Sequence, residues 1–261
     1  MKTKIFDKSG NEKGAIEFPK NFTSRIRTDI LAKIFEAQRL IYAQAYGSMK
    51  EAGRQYSASG ILRHKRHAWK TTYGKGISRV PRKILSRHGS SFNWVGATVS
   101  NTRGGRRPHA PKSEENPFRK TNKKELLIGF NSAFAGTVDE KSLEKKYGKK
   151  IKSGFVFDET ILDLKTKEFF EILKKVFADD FEKILKIKAV RAGKGKMRGR
   201  KYKSNAGMLF VVADDENMKR KGIDIVSVGE LKIGDLSPNG EPGRITCYTE
   251  KAIKQIGEKF K

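Results

Sequence analysis

A long basic segment without periodic apolar residues constrains the fold of this chain most. Residues 54–124 hold eighteen lysines and arginines against two acids, and eighteen of these residues are hydrophobic. Apart from an ambiguous patch at 61–69, no helical or strand alternation is sustained there. Such a segment cannot bury a core of its own. We therefore predict that residues 1–53 and 122–261 form a single globular domain, and that residues 54–121 form a long extended loop.

The two flanking regions carry the apolar patterns of an α/β protein. Strands are predicted at 4–6, 15–18, 155–157, 187–190, 208–213, 223–228 and 245–248, and helices at 29–45, 122–137, 166–177 and 249–260. Asn122 followed by Glu125 resembles a capping box. The apolar run 208–213 is typical of a strand buried on both faces. Strands alternating with helices predict a three-layer α/β/α fold with a mostly parallel central sheet.

The distribution of charge indicates the kind of partner. The chain has 57 lysines and arginines against 29 acids, a formal net charge of +28. Besides the long segment, residues 188–203 carry eight basic residues and no acid. Most of the excess is therefore concentrated in two segments, which favours a polyanionic partner.

The remaining composition excludes several classes of protein. A single cysteine, Cys247, excludes a disulfide framework and fits a reducing cytoplasm. The longest unbroken apolar run has six residues, whereas a membrane-spanning helix needs ~20. The first ten residues lack the apolar segment of a secretory signal. We expect a soluble cytoplasmic protein with no membrane partner.

The most informative motif is RAGKGKMRGRKYK at residues 191–203. Its glycines allow the backbone to approach a phosphate closely, and its arginines can grip phosphate with two hydrogen bonds. The glycine spacing matches neither a nucleotide-binding P-loop nor a dinucleotide-binding loop. We predict an extended strap on RNA, and the alternative is a solvated basic loop.

The long loop combines cations with aromatic residues. Trp69, Tyr73, Phe92 and Trp94 could stack on unpaired bases, or they could form a small local cluster beneath the loop. Its prolines favour an extended path. In the loop, the candidate RNA contacts are Arg54, Arg63, Arg66, Trp69, Arg79, Arg82, Lys83, Arg87, Trp94, Arg103, Arg106, Arg107, His109 and Lys112. In the second basic segment they are Arg191, Lys194, Lys196, Arg198, Arg200, Lys201 and Lys203.

Residues suited to catalysis or metal binding are few. His64 and His67 have a metal-like spacing, but the neighbouring cations oppose a divalent ion. Asp214, Asp215 and Glu216 follow a predicted buried strand, where a Mg²⁺ site or a catalytic base is conceivable. We favour an acid-rich helix N-terminus there. No Ser–His–Asp or Cys–His set is evident, so we predict no catalytic residue, no metal, no cofactor and no small-molecule substrate.

At these motifs the chain resembles the archaeal and eukaryotic form of universal large-subunit ribosomal protein four. Residues 191–203 match the family's most recognisable motif almost residue for residue, and SPNGEPGRITCYTEKAI at 237–253 resembles its C-terminal segment. RVPR, GGRRPHAPK, NKKE and SAFAGTVD also occur in the family's order. Residues 83–103 depart from the glycine- and arginine-rich loop tip of the family.

The resemblance implies a structural constituent of the large ribosomal subunit. It implies a three-layer α/β/α domain on the outside of the subunit and an internal loop that runs into the ribosomal RNA. The loop tip is implied to line the peptide exit tunnel, near an extension of large-subunit ribosomal protein twenty-two. The implied partners are large-subunit ribosomal RNA, bound early in assembly, and neighbouring ribosomal proteins. The protein would be cytoplasmic and ribosome-bound.

Two other classes stay open from the residues alone. An RNA-acting α/β enzyme would need a glycine-rich cofactor loop or an acidic metal set. An architectural DNA-binding protein would bind duplex DNA with a similarly steep salt dependence.

Overall fold

The computed structural model describes residues 2–58, 66–67, 71, 73–89 and 91–260. The chain forms two compact units. The first, called here the α/β unit, comprises Met1–Tyr42 and Phe118–Lys261, and the second, the insert unit, comprises Ala43–Pro117. The boundaries predicted from the sequence, after residues 53 and 121, lie a short way beyond those of the two units.

Ten strands and seven α-helices occur in the described part of the chain. The strands are β1 Lys2–Phe6, β2 Glu12–Glu17, β3 Arg82–His88, β4 Ser91–Gly96, β5 Phe155–Phe157, β6 Lys188–Val190, β7 Tyr202–Ser204, β8 Leu209–Val212, β9 Asp224–Ser227 and β10 Thr246–Thr249. The helices are α1 Thr28–Ile41, α2 Lys123–Val138, α3 Glu140–Tyr147, α4 Thr166–Phe177, α5 Phe181–Ile184, α6 Ile233–Leu236 and α7 Glu250–Lys259.

The α/β unit is built on a six-stranded sheet in the order β2-β1-β5-β10-β8-β9. β2 pairs antiparallel with β1, and the other neighbours are all parallel. Parallel strands need a crossover connection: helices lie between β1 and β5, between β5 and β8 and between β9 and β10 along the chain, whereas β8 and β9 are joined by residues 213–223 without a helix. The predicted α/β class with a mostly parallel central sheet is confirmed.

Side chains of alternate residues in the central strands pack into two separate apolar cores, one on each face of the sheet. In β8, Leu209 and Val211 belong to one apolar cluster, while Phe210 and Val212 belong to the other, and all four are buried. The first cluster includes side chains of α1, α2 and α7, and the second includes side chains of α3 and α4. Helices therefore cover both faces of the sheet, as the continuous apolar run 208–213 predicts.

The helices differ from their prediction mainly at their ends. α4 has the predicted bounds, whereas α1 ends at Ile41 instead of continuing to residue 45. Asn122 occupies the N-cap of α2, but its side chain makes no capping hydrogen bond. Glu125 instead forms a 2.9 Å ion pair with Lys33 of α1. Among the described residues, no helix is long and apolar enough to cross a membrane.

The acid-rich turn after β8 is not the start of a helix, contrary to the sequence interpretation. The Asp214 carboxylate accepts a hydrogen bond from the Gly229 backbone and a 2.7 Å hydrogen bond from the Gln255 side chain. Glu216 accepts hydrogen bonds from the Ala213 backbone and from Thr249 Oγ1, at 2.8 and 2.6 Å. These two carboxylates therefore connect the turn by hydrogen bonds to Gly229, to α7 and to β10.

The insert unit contains a β-hairpin that the sequence pattern did not indicate. β3 and β4 pair antiparallel, and the pairing shifts register between Ile84 and Ser86. The irregularity breaks the two-residue alternation of β3, which explains why RKILSRH was not recognised as a strand. Residues 97–106 then form a compact turn, in which Ala97 donates to Pro81 and Arg106 donates to Thr98.

Candidate nucleic-acid interface

The conspicuous basic motif at 191–203 folds as part of a second hairpin. β6 and β7 pair antiparallel, with Val190 opposite Tyr202. The Arg191 N–H donates to the Lys201 carbonyl at 2.9 Å and continues the ladder, while Arg200 N–H donates to Gly195 at 3.0 Å. A 3-10 turn spans Lys194–Met197. The segment is therefore an ordered hairpin, which corrects the expected extended strap.

The β6–β7 hairpin is almost entirely exposed. From Lys188 to Ser204 every residue is exposed except Gly195, which is half-buried. No lysine or arginine of this segment forms an ion pair with an acid in the described part of the chain. Eight cations therefore share a small surface without internal neutralisation, which favours binding of a polyanion.

Large apolar side chains stand between these cations. Met197 is 74% exposed, and Val190 and Tyr202 are each more than half exposed. Lys201 lies over the Tyr202 ring, with its Nζ 5.6 Å from the ring centroid. An exposed aromatic ring beside a cation offers a stacking face together with charge.

The chain passes from the β6–β7 hairpin into the six-stranded sheet at the amino end of β8. Its second strand ends at Ser204, and β8 begins at Leu209, which pairs with Asp224 at the start of β9 and with Thr246 at the start of β10. Ligand sites of open α/β sheets usually lie at the opposite, carboxyl end of the strands. The basic surface of the α/β unit is thus at the amino end of the sheet.

In the insert unit, aromatic rings contact each other and nearby cations. Phe92 and Trp94 stack with their centroids 5.5 Å apart. The Nζ of Lys75 lies 5.4 Å from the Trp94 ring centroid, and that of Lys83 lies 4.0 Å from the Tyr56 centroid. These contacts form a local cluster, and Phe92 and Trp94 are only half-buried in it.

A basic cleft of about 770 Å³ lies within the insert unit. Its lining includes Arg54, Arg106, Arg107 and Lys112, together with an ion pair of 3.7 Å between Lys50 and Glu114. Glycine backbones form part of its wall: a side chain at position 53 would meet the backbone of Arg106 at 2.6 Å. The glycines thus bring two basic stretches of the chain together.

The predicted contact residues lie in several places. The β6–β7 hairpin carries Arg191, Lys194, Lys196, Arg198, Arg200, Lys201 and Lys203; the β3–β4 hairpin and its approach carry Arg79, Arg82, Lys83, Arg87 and Trp94; the cleft is lined by Arg54, Arg106, Arg107 and Lys112. Arg66, Arg103 and His109 lie elsewhere in the insert unit. Arg63 and Trp69 lie outside the described residues, as do His64 and most of the patch 61–69.

One predicted contact residue also has a structural role. The Arg82 guanidinium donates to the carbonyl and hydroxyl oxygens of Ser78 at 3.1 and 2.9 Å.

Three basic residues, Lys50, Lys186 and Arg244, were missed by the sequence analysis. Lys50 precedes the basic segment, and the other two act through tertiary contacts that residue type alone does not reveal.

No group of three or more histidine, cysteine or acidic side chains that could hold a metal occurs in the described part of the chain. Cys247 is fully buried, and burial raises the pKa of its thiol well above the usual value. A buried neutral thiol is a poor nucleophile, which is consistent with a packing role.

The chain is similar to ribosomal proteins over nearly its whole length. The large ribosomal subunit protein uL4 of Nanoarchaeum equitans is 36% identical over 268 residues, which cover 99% of this chain and 98% of that protein. Those of Methanococcoides burtonii and Thermoplasma acidophilum are 35% and 34% identical, with 98% of each chain covered. These relatives are structural ribosomal proteins, not enzymes. A family model described as ribosomal protein L4/L1 family matches residues 16–259, so the chain belongs to that family.

Proposed function

We propose that this large-subunit ribosomal protein binds ribosomal RNA through the β6–β7 hairpin and the insert unit. The observation that carries the proposal is the hairpin: eight basic residues, exposed and without acidic partners, on an ordered backbone. Phosphate is the ligand class that such a surface fits, because every basic side chain there donates and none accepts. The exposed Tyr202 and Met197 add contacts to bases or sugars.

Order in the hairpin supports specific binding more than non-specific binding. The backbone hydrogen bonds across β6 and β7 hold the cations in a fixed arrangement before RNA arrives. A preformed surface spends less conformational entropy on association. It also discriminates among RNA shapes, because only some backbone paths place phosphates opposite all the cations.

Salt dependence tests this proposal directly. We expect Arg198→Ala to weaken binding to large-subunit ribosomal RNA and to reduce the slope of log affinity against log salt by about 0.7–0.9 units. Lys254→Ala is the matched control, because it also removes one exposed positive charge but lies on α7, paired with Glu250 at 2.7 Å. Equal slopes for the two variants would contradict the proposal, as would tighter binding to duplex DNA than to ribosomal RNA.

For the insert unit we propose a deeper location in the particle, along the peptide exit tunnel and beside large-subunit ribosomal protein twenty-two. Fifteen lysines and arginines against three acids give this unit a strong attraction for RNA. The β3–β4 hairpin adds a two-stranded projection with exposed Leu85 and Val95. Prolines at 108 and 111 favour an extended path beside the cleft.

Cross-linking from the hairpin tests this location. A photo-activated amino acid in place of the exposed Asn93 should label the nascent chain in translating ribosomes. The same group in place of the exposed Glu258 of α7 should not label it. Labelling from both positions, or from neither, would contradict a tunnel location for the hairpin.

We also propose that the protein joins the large subunit early in its assembly. A protein that binds RNA mainly through preformed basic surfaces can associate before its protein neighbours do. Pulse-labelled precursor particles should contain this protein at nearly full occupancy. Its appearance only in late precursors would contradict an early role.

A further inference from the structure

Three charged side chains meet where the β6–β7 hairpin joins the sheet. Asp224, the first residue of β9, accepts a 2.8 Å hydrogen bond from Lys186 Nζ on one carboxylate oxygen. Its other oxygen accepts a 2.6 Å hydrogen bond from Arg244 Nη2. The three residues are far apart in the chain and none belongs to the exposed basic motif. We call this group the root cluster.

Arg244 of the root cluster binds the chain segment that connects the hairpin to β8. It is only 3% exposed. Its guanidinium donates to the carbonyl oxygens of Ala206, Gly207 and Met208 at 2.7, 3.0 and 3.3 Å. These three residues lie between Asn205, which follows β7, and the first residue of β8. A buried guanidinium requires such partners, because an unpaired buried charge is strongly destabilising.

The strand that enters the hairpin is held from the same place. Lys186 lies two residues before β6, and its ammonium group is bound to Asp224. Asn205 adds a neutral bridge between the two strands: it accepts from the Ile187 N–H at 2.7 Å and donates to the Leu185 carbonyl at 3.0 Å. Both ends of the hairpin are thus fastened to β9 and to the approach to β10.

We propose that the root cluster and Asn205 are positioning residues, which fix the direction in which the β6–β7 hairpin presents its cations to RNA. The inference rests on the proposed function, and it assigns a role to side chains outside the exposed basic motif. A hairpin joined only through its backbone would turn freely about residues 185–187 and 205–207. Fastening both strands removes that freedom before binding.

The protonation state of the cluster agrees with this role. Burial raises the pKa of Asp224, but hydrogen bonds from Lys186 and Arg244 outweigh it and lower that pKa below its usual value. The carboxylate is therefore charged at neutral pH and can hold two cations at once.

The sign of a charge effect makes the role testable. Asp224→Asn removes a negative charge, which by itself strengthens attraction for RNA. The positioning role predicts the opposite, namely about tenfold weaker binding and a smaller salt slope, because hydrogen bonds to charged groups are lost. The matched control is Glu12→Gln, which removes one negative charge from an exposed ion pair on the far edge of the sheet. This control should bind RNA as well as the unaltered protein or better.

Amide hydrogen exchange separates positioning from loss of fold. In both Asp224→Asn and the charge-neutral Asn205→Ala, the Ile187 amide at the base of the hairpin, which donates to the Asn205 side chain, should exchange faster, while amides of α4 exchange at the unaltered rate. Asn205→Ala should also weaken RNA binding, and it keeps the test decisive if Asp224→Asn fails to fold. Unaltered hairpin exchange and unaltered RNA binding in Asn205→Ala would overturn the inference. If Arg198→Ala has no effect on RNA binding, the proposed function fails, whereas faster hairpin exchange still reports the fastening.

Discussion

At the scale of single residues, Gly136 shows how closely α2 approaches the loop before β10. A Cβ at this position would lie 2.5 Å from Pro242 Cβ and 3.4 Å from Pro242 Cα. In an exposed helix, Gly→Ala stabilises by about 1 kcal/mol. Here we expect Gly136→Ala to destabilise the protein by about 1–3 kcal/mol, because a proline ring cannot move aside easily.

Thermal or denaturant unfolding measures this effect. Gly14→Ala is the control, because nothing lies within 4 Å of a Cβ at residue 14 and its backbone is an ordinary strand conformation. A control variant as unstable as Gly136→Ala would show that the loss of stability does not come from the contact with Pro242.

A second residue-scale prediction concerns acid pH. The pKa of Asp224 is lowered in the folded state, although burial acts against this, by hydrogen bonds from Lys186 and Arg244. Its stabilising contribution is therefore present above the unfolded pKa of ~3.9 and is lost as pH falls through the folded value. The melting temperatures of the unaltered protein and Asp224→Asn should differ at pH 7, begin to approach each other only below about pH 4, and converge below the lowered folded pKa. A difference independent of pH would contradict the ion-pair role.

The sequence could predict the basic residues of the interface but not the residues that hold the β6–β7 hairpin in place. Arg198 and its neighbours stand out because eight basic residues occur without an acid. Arg244 lies in a segment that resembled the family, yet its partners at 206–208 and at Asp224 depend on the pairing of β8, β9 and β10. Such contacts follow from strand order, which periodicity does not reveal.

At the scale of elements, the loop conformation of the β6–β7 hairpin requires glycine at residue 199 but not at residue 193. Gly199 has a φ of +75°, and nothing lies within 4 Å of a Cβ placed there. Gly193 also has open space, but its φ is −83°. A non-glycine residue in the left-handed region costs about 1–2 kcal/mol. Gly199→Ala should therefore disfavour the hairpin conformation, whereas Gly193→Ala should leave it unchanged.

RNA affinity reports this difference between two otherwise equal substitutions. We expect Gly199→Ala to weaken binding by up to about tenfold, and Gly193→Ala to change it by less than about twofold. Both variants should melt like the unaltered protein, because neither glycine belongs to the two apolar clusters. Equal affinities would mean that the loop conformation does not matter for binding.

Elements with regular apolar spacing could be predicted well, and those with local irregularity could not. α4 was predicted with its observed bounds because Phe169, Leu173 and Phe177 recur at helical spacing. α3 was missed: Leu143 is its one buried residue, so the helix lacks an apolar stripe. β3 was missed because of its register shift.

At the scale of the whole molecule, the two apolar clusters belong entirely to the α/β unit. In the described part of the insert unit, the residues that are fully buried are Thr71 and Ala97. Arg119, directly after the insert, forms a 3.1 Å ion pair with Glu36 of α1. The core therefore takes no described residue from the insert, and the chain re-enters the α/β unit beside the helix from which it departed.

The last prediction follows from this division. Replacing residues 43–117 with a short Gly/Ser linker should leave a folded α/β unit, because no described residue of the insert belongs to the two apolar clusters and the closure entropy of a flexible linker changes by only about 0.6 kcal/mol per halving of its length. The truncated protein should unfold cooperatively and still bind ribosomal RNA through the β6–β7 hairpin. Large subunits assembled with it should be fewer or less active, since the proposed tunnel contacts are removed.

The complementary deletion completes the experiment. Replacing residues 191–203 with a tight turn should also preserve the fold, because all of this segment except Gly195 is exposed and it lies outside both clusters. It should reduce the affinity of the isolated protein for ribosomal RNA and flatten its salt dependence, since the cations of the motif are lost. If removal of 43–117 unfolds the α/β unit, the insert contributes to the core after all. If both deletions leave subunit assembly intact, neither basic surface has the role proposed for it, and the concentration of charge in these two segments needs a different partner.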